Sequence, residues 1–411
     1  MHTQATESSV LDEVIRARRI TDALFAQLPA ESMYERPIPE RHRLLFYVGH
    51  LEAFDWNQIG RSALGLNPLS EELDRLFAFG IDPPSGQLPQ DAPGDWPTVD
   101  ETLQYVRLVR RNLEREMNHA PEEAAQIALE HRLMHAETLT YLIHNLDYQR
   151  RRPPASLPGA SFGNSPSLQM VEIPAGIATL GLTRGEGFGW DNEFEQHTRY
   201  VPPFAISKYK VTNAQYLEFV RQGGPPPHYW TERGGEWFYR GLHAEIPLPS
   251  NWPVYASHAQ AESYAGWFGG ALPTEAQFHR AAFGTPGEDE RSHPRSHPWG
   301  SRPPTREHGN FDFQYADLIP VTATPAGDSA FGVSQLVGNG WEWTSSVFEP
   351  FDGFAPIPSY PGYSAGFFDG DHYVLKGGSC VTDARLLRSS FRNWFRAQYP
   401  YAYTTFRLVE N

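Results

Sequence analysis

His131 and His135 lie four residues apart in a stretch, 128–146, whose apolar residues recur at helical spacing. Residues four apart share one helical face, so the two imidazoles can be aimed at a single ion. A lone buried histidine is ordinarily a satisfied core side chain, but two on one face both need partners for their ring nitrogens. A third imidazole is offered by His50, which sits among Phe46, Val48, Leu51 and Phe54 in the helix-like segment 43–64. Three imidazoles from two helices would make a transition-metal site in a bundle core. Glu137 falls about 200° round the helix from His135 and reads as an outer contact behind the ligands or as structural. His144 is likewise turned away, and His119 precedes Ala120 and Pro121 in a loop.

The elements that must position this trio follow from periodicity. From about Ser8 to Arg151, apolar residues recur at three and four, the pattern of four long amphipathic helices and hence of an all-α bundle. Proline and glycine exclude helix from the segment 80–97, and a loop of that length in a compact domain is often functional. Arg150, Arg151 and Arg152, before Pro153 and Pro154, read as the solvated end of the last helix. The Pro/Ser/Gly-rich tract 153–166 reads as a linker, which gives a bundle at 1–152 and a second domain at 167–411. In the second domain short strand-like pieces (168–173, 198–201, 204–207, 373–376, 406–409) alternate with turns. Helical spacing is confined to 214–221, 259–268 and 275–283, so this half is α+β with much irregular structure.

Composition narrows the partners. The 411 residues carry a net charge of −15, from 34 basic and 49 acidic side chains, with no polybasic block, so nucleic acid is not the expected partner. The polar start lacks a secretory pattern and no apolar run is long enough for a membrane span, so a cytoplasmic protein acting on small molecules is expected. The single cysteine, Cys380, excludes an internal disulfide and reads as a small buried filler.

Several segments together resemble a known family. The stretch 204–216 with Lys210, Val211, Thr212 and Asn213, the stretch 271–278 with Leu272, Pro273, Thr274 and Glu275, the run Gly338, Asn339, Gly340, Trp341, Glu342, Trp343, the run Lys376, Gly377, Gly378, Ser379, and the run Phe391, Arg392, Asn393, Trp394 occur in the order of the formylglycine-generating-enzyme/sulfatase-modifying-factor fold, a C-type-lectin-like variant. Preceded by a DinB-like four-helix bundle with His131, His135 and Glu137, the chain resembles the EgtB family of non-haem iron sulfoxide synthases over nearly its whole length.

The resemblance implies Fe(II) held by His50, His131 and His135, dioxygen as co-substrate, and a tunnel between the two domains. The implied reaction oxidatively joins a sulfur or selenium donor to C2 of the imidazole of hercynine, the trimethylammonium betaine of histidine. Tyr360 and Tyr363 match a YxxY pair in which the first tyrosine is the implied acid or reductant; from the residues alone a surface turn with two packing tyrosines is the alternative. Asn393 and Trp394 match residues contacting the hercynine carboxylate and ammonium, and an aromatic face suits a quaternary ammonium. Trp341 and Trp343 are expected in the core. A structural calcium in the lectin-like half is a further implied ligand.

Three positions depart from the family pattern. The loop 80–97 has no arginine or lysine where relatives using γ-glutamylcysteine carry two arginines, and it holds Asp82, Asp91 and Asp95. Phe395 stands where those relatives have an aspartate, and Met134 where some have a glutamine that binds hercynine. A dianionic donor would lack its bidentate clamp. The expected donor is therefore a neutral selenosugar, as in the SenA selenoneine-synthase branch, with cysteine or another thiol as the alternative. Two other classes remain open at this point, a zinc- or nickel-dependent DinB-type thiol S-transferase and a pure binding module. A formylglycine-generating oxidase needs two active-site cysteines and is excluded by the single cysteine.

Overall fold

A computed structural model describes residues 10–81, 88–152, 163–287, 295–315 and 317–410. The chain divides into two compact units, Met1–Ala155 and Ser156–Asn411. Residues 153–162 of the expected linker, and Asp82, lie outside the described residues.

The first unit is helical: α1 (Val10–Phe25), α2 (Leu44–Asp55), α3 (Glu71–Phe79), α4 (Val99–Glu116) and α5 (Glu122–Asn145). All twelve residues of α2 are buried, because α3, α4 and α5 pack around it. It runs without a break into a wider-wound π segment, Trp56–Ala63. A buried ion network ties four helices together. Glu52 of α2 faces Arg18 of α1 (3.4 Å), Arg110 of α4 (2.8 Å) and Arg132 of α5 (3.1 Å), and Arg132 also holds Asp55 (2.7 Å).

The helix α3 was not expected from the sequence. Ser70 caps it by accepting from the Leu73 amide, Glu71, Glu72 and Asp74 suit its positive end, and Phe77 is fully buried beneath it. The end of the last helix also differs from expectation. The helix stops at Asn145, a 3-10 turn follows at Tyr148–Arg150, and Arg151 is buried over the Tyr148 ring rather than solvated. The Arg152 amide binds the carbonyl of Gln27, which anchors the chain beyond α1.

The second unit opens with β1 (Met170–Ile173), β2 (Gly176–Leu180), β3 (His197–Val201) and β4 (Phe204–Ser207), then α6 (Asn213–Arg221). There follow β5 (Trp230–Arg233), β6 (Glu236–Arg240), β7 (Glu245–Pro247), α7 (His258–Phe268) and α8 (Glu275–Phe283). It closes with β8 (Trp341–Val347), β9 (His372–Lys376), β10 (Asn393–Arg396), β11 (Thr404–Thr405) and β12 (Val409–Glu410). Among the described residues four small sheets result, ordered β1-β4-β12, β10-β9-β8-β11, β2-β3 and β5-β6-β7. The helix α8 packs on β2 and β3, and Phe278, Ala281, Ala282 and Phe283 join Ile206, Val333 and Leu336 in the main core.

The strand expected at 406–409 is broken into β11 and β12. Arg407 between them is fully buried and donates to the carbonyls of Ser207, Lys208 and Ser334 and to Glu342, which pulls the chain out of regular pairing. Glu342 is compensated by Arg407 and by the Lys210 ammonium at 3.4 Å, so cations of the chain itself neutralise this buried carboxylate. Among the described residues no helix is long and apolar enough to cross a membrane.

Candidate metal centre

Nitrogen atoms of His50, His131 and His135 lie within 4.8 Å of one another, the spacing of ligands round one ion. The ring centroids are 5.1 Å apart for His50 and His131, 4.9 Å for His50 and His135, and 4.5 Å for His131 and His135. The i,i+4 spacing on α5 sets one edge of the triangle, and the packing of α2 against α5 supplies the third corner. Among the described residues this is the one grouping of three or more histidine, cysteine or acidic ligand atoms.

The surroundings favour neutral imidazoles. Burial lowers the pKa of His50 to about 4, against the opposing hydrogen bond to Phe77. Burial also pushes His131 well down, helped by His135 and His50, and His135 well down, helped by His50 and the Arg41 charge. The Nδ1 of His50 sits 2.7 Å from the main-chain oxygen of Phe77. A carbonyl only accepts, so Nδ1 carries the proton and Nε2 keeps its lone pair for a metal. The Nδ1 of His135 is buried with no hydrogen-bond partner among the described residues. A ring nitrogen aimed at an ion would look like this, and the donor set therefore fits a borderline transition metal. Glu52 and Asp55, the nearest acids on α2, are taken up by arginines, which leaves an all-nitrogen set.

Aromatic rings of α2 fix the imidazoles in place. Phe46 stacks on His50 at 4.7 Å, Phe54 on His131 at 3.4 Å, and Tyr47 lies 5.8 Å from His135. Beside Phe46 stand His42 and Trp96, at 4.2 and 6.1 Å. The indole of Trp96 donates to Asp91 (2.7 Å), and Asp91 is also held by Arg43 (2.8 Å) and Arg36. The loop 80–97 therefore does not present three bare carboxylates. Asp91 is neutralised by Arg36 and Arg43, while Asp95 stays exposed and accepts from the Ala92 amide. Met134, beside His135 on α5, is half-buried, and its carbonyl accepts from Thr138.

The second unit gathers a separate aromatic cluster. Trp190 stacks on Tyr363 at 3.9 Å, Tyr360 lies 6.4 Å from Trp190, and Tyr363 meets Trp394 edge-on at 5.4 Å. Trp394 stacks in turn on Phe348 at 4.2 Å. Tyr360, Tyr363 and Trp394 are thus neighbours. Phe395, next along β10, points to the opposite strand face and stacks on Tyr399 at 5.0 Å, while Asn393 accepts from the Trp394 amide. Trp343 is fully buried and donates to the Ala256 carbonyl, a core role. Cys380 is buried against the Tyr255 hydroxyl.

Several contributors were not found from the sequence. The Phe77 carbonyl is a main-chain group with no side-chain signature. Gly49, a glycine inside a buried helix, did carry a signal of close approach, and the Phe77 ring occupies the space a Cβ would need there.

Residues 13–144 match the DinB superfamily and residues 160–411 the sulfatase-modifying factor enzyme 1-like domain. The hercynine oxygenase of Mycolicibacterium smegmatis is 34% identical over 366 residues, covering 79% of this chain and 80% of that protein. The hercynine oxygenase of Mycobacterium tuberculosis is 39% identical over 233 residues, 51% of this chain and 52% of that protein. Ergothioneine biosynthesis protein 1 of Neurospora crassa is 27% identical over 488 residues, 93% of this chain and 55% of that protein. The chain thus spans about half the length of two of these relatives and four fifths of the third. With both domain families matched in this order, the chain belongs to the EgtB-like family, a DinB-superfamily helical domain followed by a sulfatase-modifying factor enzyme 1-like domain.

Proposed function

We propose that the protein is a non-haem iron oxygenase of the ergothioneine type, which uses dioxygen to join the sulfur of a thiol to C2 of the hercynine imidazole. The observation that carries this reading is the three-imidazole cluster, with His50 and His131 buried and His135 half-buried, in a chain whose relatives include hercynine oxygenases. The overall change balances: the thiol S–H and the C2–H are lost, a C–S bond and an S–O bond form, and dioxygen takes four electrons to leave one oxygen on sulfur and one in water.

Ferrous ion, if held by His50, His131 and His135, would supply the dioxygen chemistry. Desolvation lowers the pKa of all three rings, which favours the neutral form that binds metal rather than protons. Burial first, and the nearby Asp191 charge second, raise the pKa of Tyr360, which keeps a proton on its Oη for donation. The Trp394 face suits the trimethylammonium group, worth about 0.5–2 kcal/mol, and the Asn393 amide suits the carboxylate. Met134 offers an apolar side chain beside His135, while Phe395 turns to the other face of β10 from Trp394 and packs on Tyr399. Sulfur is favoured over the selenosugar because the relatives are named for ergothioneine and hercynine chemistry.

The test is to load the protein anaerobically with Fe(II), add hercynine with cysteine, γ-glutamylcysteine or a selenosugar, admit oxygen, and weigh the products. A hercynine–thiol sulfoxide is expected. A carbon–selenium product alone would move the donor to selenium, and oxygen-independent transfer with zinc or nickel would replace the oxygenase reading by an S-transferase. Tyr360→Phe is expected to change rate or product ratio at unchanged iron content, and a turnover and ratio both unchanged would return Tyr360 to packing.

A further inference from the structure

Residues 348–371, between β8 and β9, carry Tyr360 and Tyr363 but no strand. A segment that long without a ladder of its own holds a side chain in place only through tethers to rigid neighbours. The tethers converge on one carboxylate. Ser364 Oγ donates to Asp191 Oδ1 at 2.5 Å, and the main-chain amide of Ile357 donates to the same side chain. These two contacts bracket Tyr360 at three residues before and four after it. Two successive turns fill the interval, Tyr360 N to Ile357 O at 3.0 Å and Tyr363 N to Tyr360 O at 3.2 Å, while the Trp190 ring lies flat on Tyr363.

Asp191 itself stands on a fixed platform. The Trp190 amide donates to Glu193 (2.9 Å), Glu193 is clamped by Arg388 and accepts from Ser390 (2.6 Å), and Arg392 donates to the Asn192 carbonyl at 3.2 Å. Asp191 is 1% exposed, and among the described residues no arginine or lysine pairs with it. Burying a carboxylate held by hydrogen bonds alone is unfavourable. Its retention at this point is explained if those bonds do something else. We propose that Asp191 is the positioning residue of the Tyr360–Tyr363 segment, fixing the Tyr360 hydroxyl for its proton-donating role by holding Ser364 and Ile357 on either side. Its charge also raises the pKa of the Tyr360 phenol, which acts in the same sense.

The inference rests on the reading of Tyr360 as the proton donor, so the two are tested side by side. Full-length iron-loaded Asp191→Ala, Asp191→Asn, Ser364→Ala and Tyr360→Phe are compared for iron content, turnover with hercynine and cysteine, and the ratio of coupled product to donor oxidised without coupling. Asparagine keeps one oxygen acceptor for both tethers, so Asp191→Asn should stay near wild type. Asp191→Ala should lose roughly 10–100-fold in kcat and shift the product ratio in the same direction as Tyr360→Phe, with iron content unchanged. Ser364→Ala, which removes one hydrogen bond and little volume, should shift the ratio the same way and serves if the aspartate variant folds poorly. Wild-type kcat and ratio in Asp191→Ala, with Tyr360→Phe impaired, overturn the positioning role and leave the Tyr360 reading intact. If Tyr360→Phe is itself unimpaired, the reading of Tyr360 falls. The tether is then judged by hydrogen exchange of amides 357–364, where faster exchange in Asp191→Ala is expected and unchanged exchange overturns it.

Discussion

The Nδ1 of His50 on α2 is held 2.7 Å from the carbonyl oxygen of Phe77, which lies in the last turn of α3. The last carbonyls of a helix have no partner within it, so a short helix ending here presents a ready acceptor. That acceptor fixes the ring, its tautomer and the free Nε2. The arrangement gives α3 a purpose beyond packing: it orients a ligand it does not contain.

Gly49 makes that contact sterically feasible. A Cβ at this position would fall within the Phe77 ring. Alanine is ordinarily the better helix former by about 1 kcal/mol, yet here the clash must push α3 away and carry the Phe77 carbonyl with it. Gly49→Ala is expected to weaken Fe(II) binding roughly 10–100-fold, with helical content retained. A Kd equal to wild type in an anaerobic titration would show that the Phe77 contact is dispensable.

Asp91 pins the loop before α4. Burial would raise its pKa, but hydrogen bonds from Trp96 and Arg43 and the charge of Arg36 outweigh this and lower it. Asp91→Ala leaves two arginines and an indole N–H without their acceptor and should cost about 2–3 kcal/mol. The denaturant midpoint and the fluorescence of Trp96 report this loss. Iron stoichiometry is expected to hold, because no ligand touches Asp91. A midpoint unchanged from wild type would contradict the pin.

His258 gives a pH signature in the second unit. It is fully buried, with Nε2 3.1 Å from the Thr344 carbonyl, Tyr373 stacked on it at 3.7 Å and Glu262 3.6 Å from Nδ1. Burial lowers its pKa from 6.5 to about 4, against the Thr344 bond. Between those values the unfolded chain binds a proton that the folded chain refuses, so stability is full above about pH 6.5 and falls toward pH 4. The slope from this residue is at most about 1.4 kcal/mol per pH unit. His258→Gln should flatten the stability–pH curve in that window, and identical curves for the two proteins would contradict the assignment.

Much of this was legible in the chain. The four-residue spacing of His131 and His135 and the apolar setting of His50 nominated the three rings that the fold brings within 4.8 Å. Three helices of the second unit, α6, α7 and α8, begin within one residue of their expected starts. The hairpin β5–β6 was missed although Gly234 and Gly235, both at positive φ (61° and 84°), mark a two-residue turn. Its strands lack alternation: Trp230 is buried, Thr231 half-buried and the next two residues exposed. Contacts that depend on main-chain atoms or on pairing across long separations were not readable, as with Phe77 O on His50, Arg407 on Ser207, or Asp191 on Ser364. The neutralisation of Asp91 by Arg36 and Arg43 belongs to the same class. Charge counted along a loop says nothing of the arginines that fold onto it from elsewhere.

The most direct test of the account is the iron content of the protein after anaerobic loading and desalting, compared with His50→Ala, His131→Ala and His135→Ala. One Fe(II) per chain is expected in the parent. Each variant should lose more affinity than the roughly 10–100-fold typical of an outer contact, with circular dichroism near that of the parent. Stoichiometric iron in all three variants would contradict the three-histidine centre.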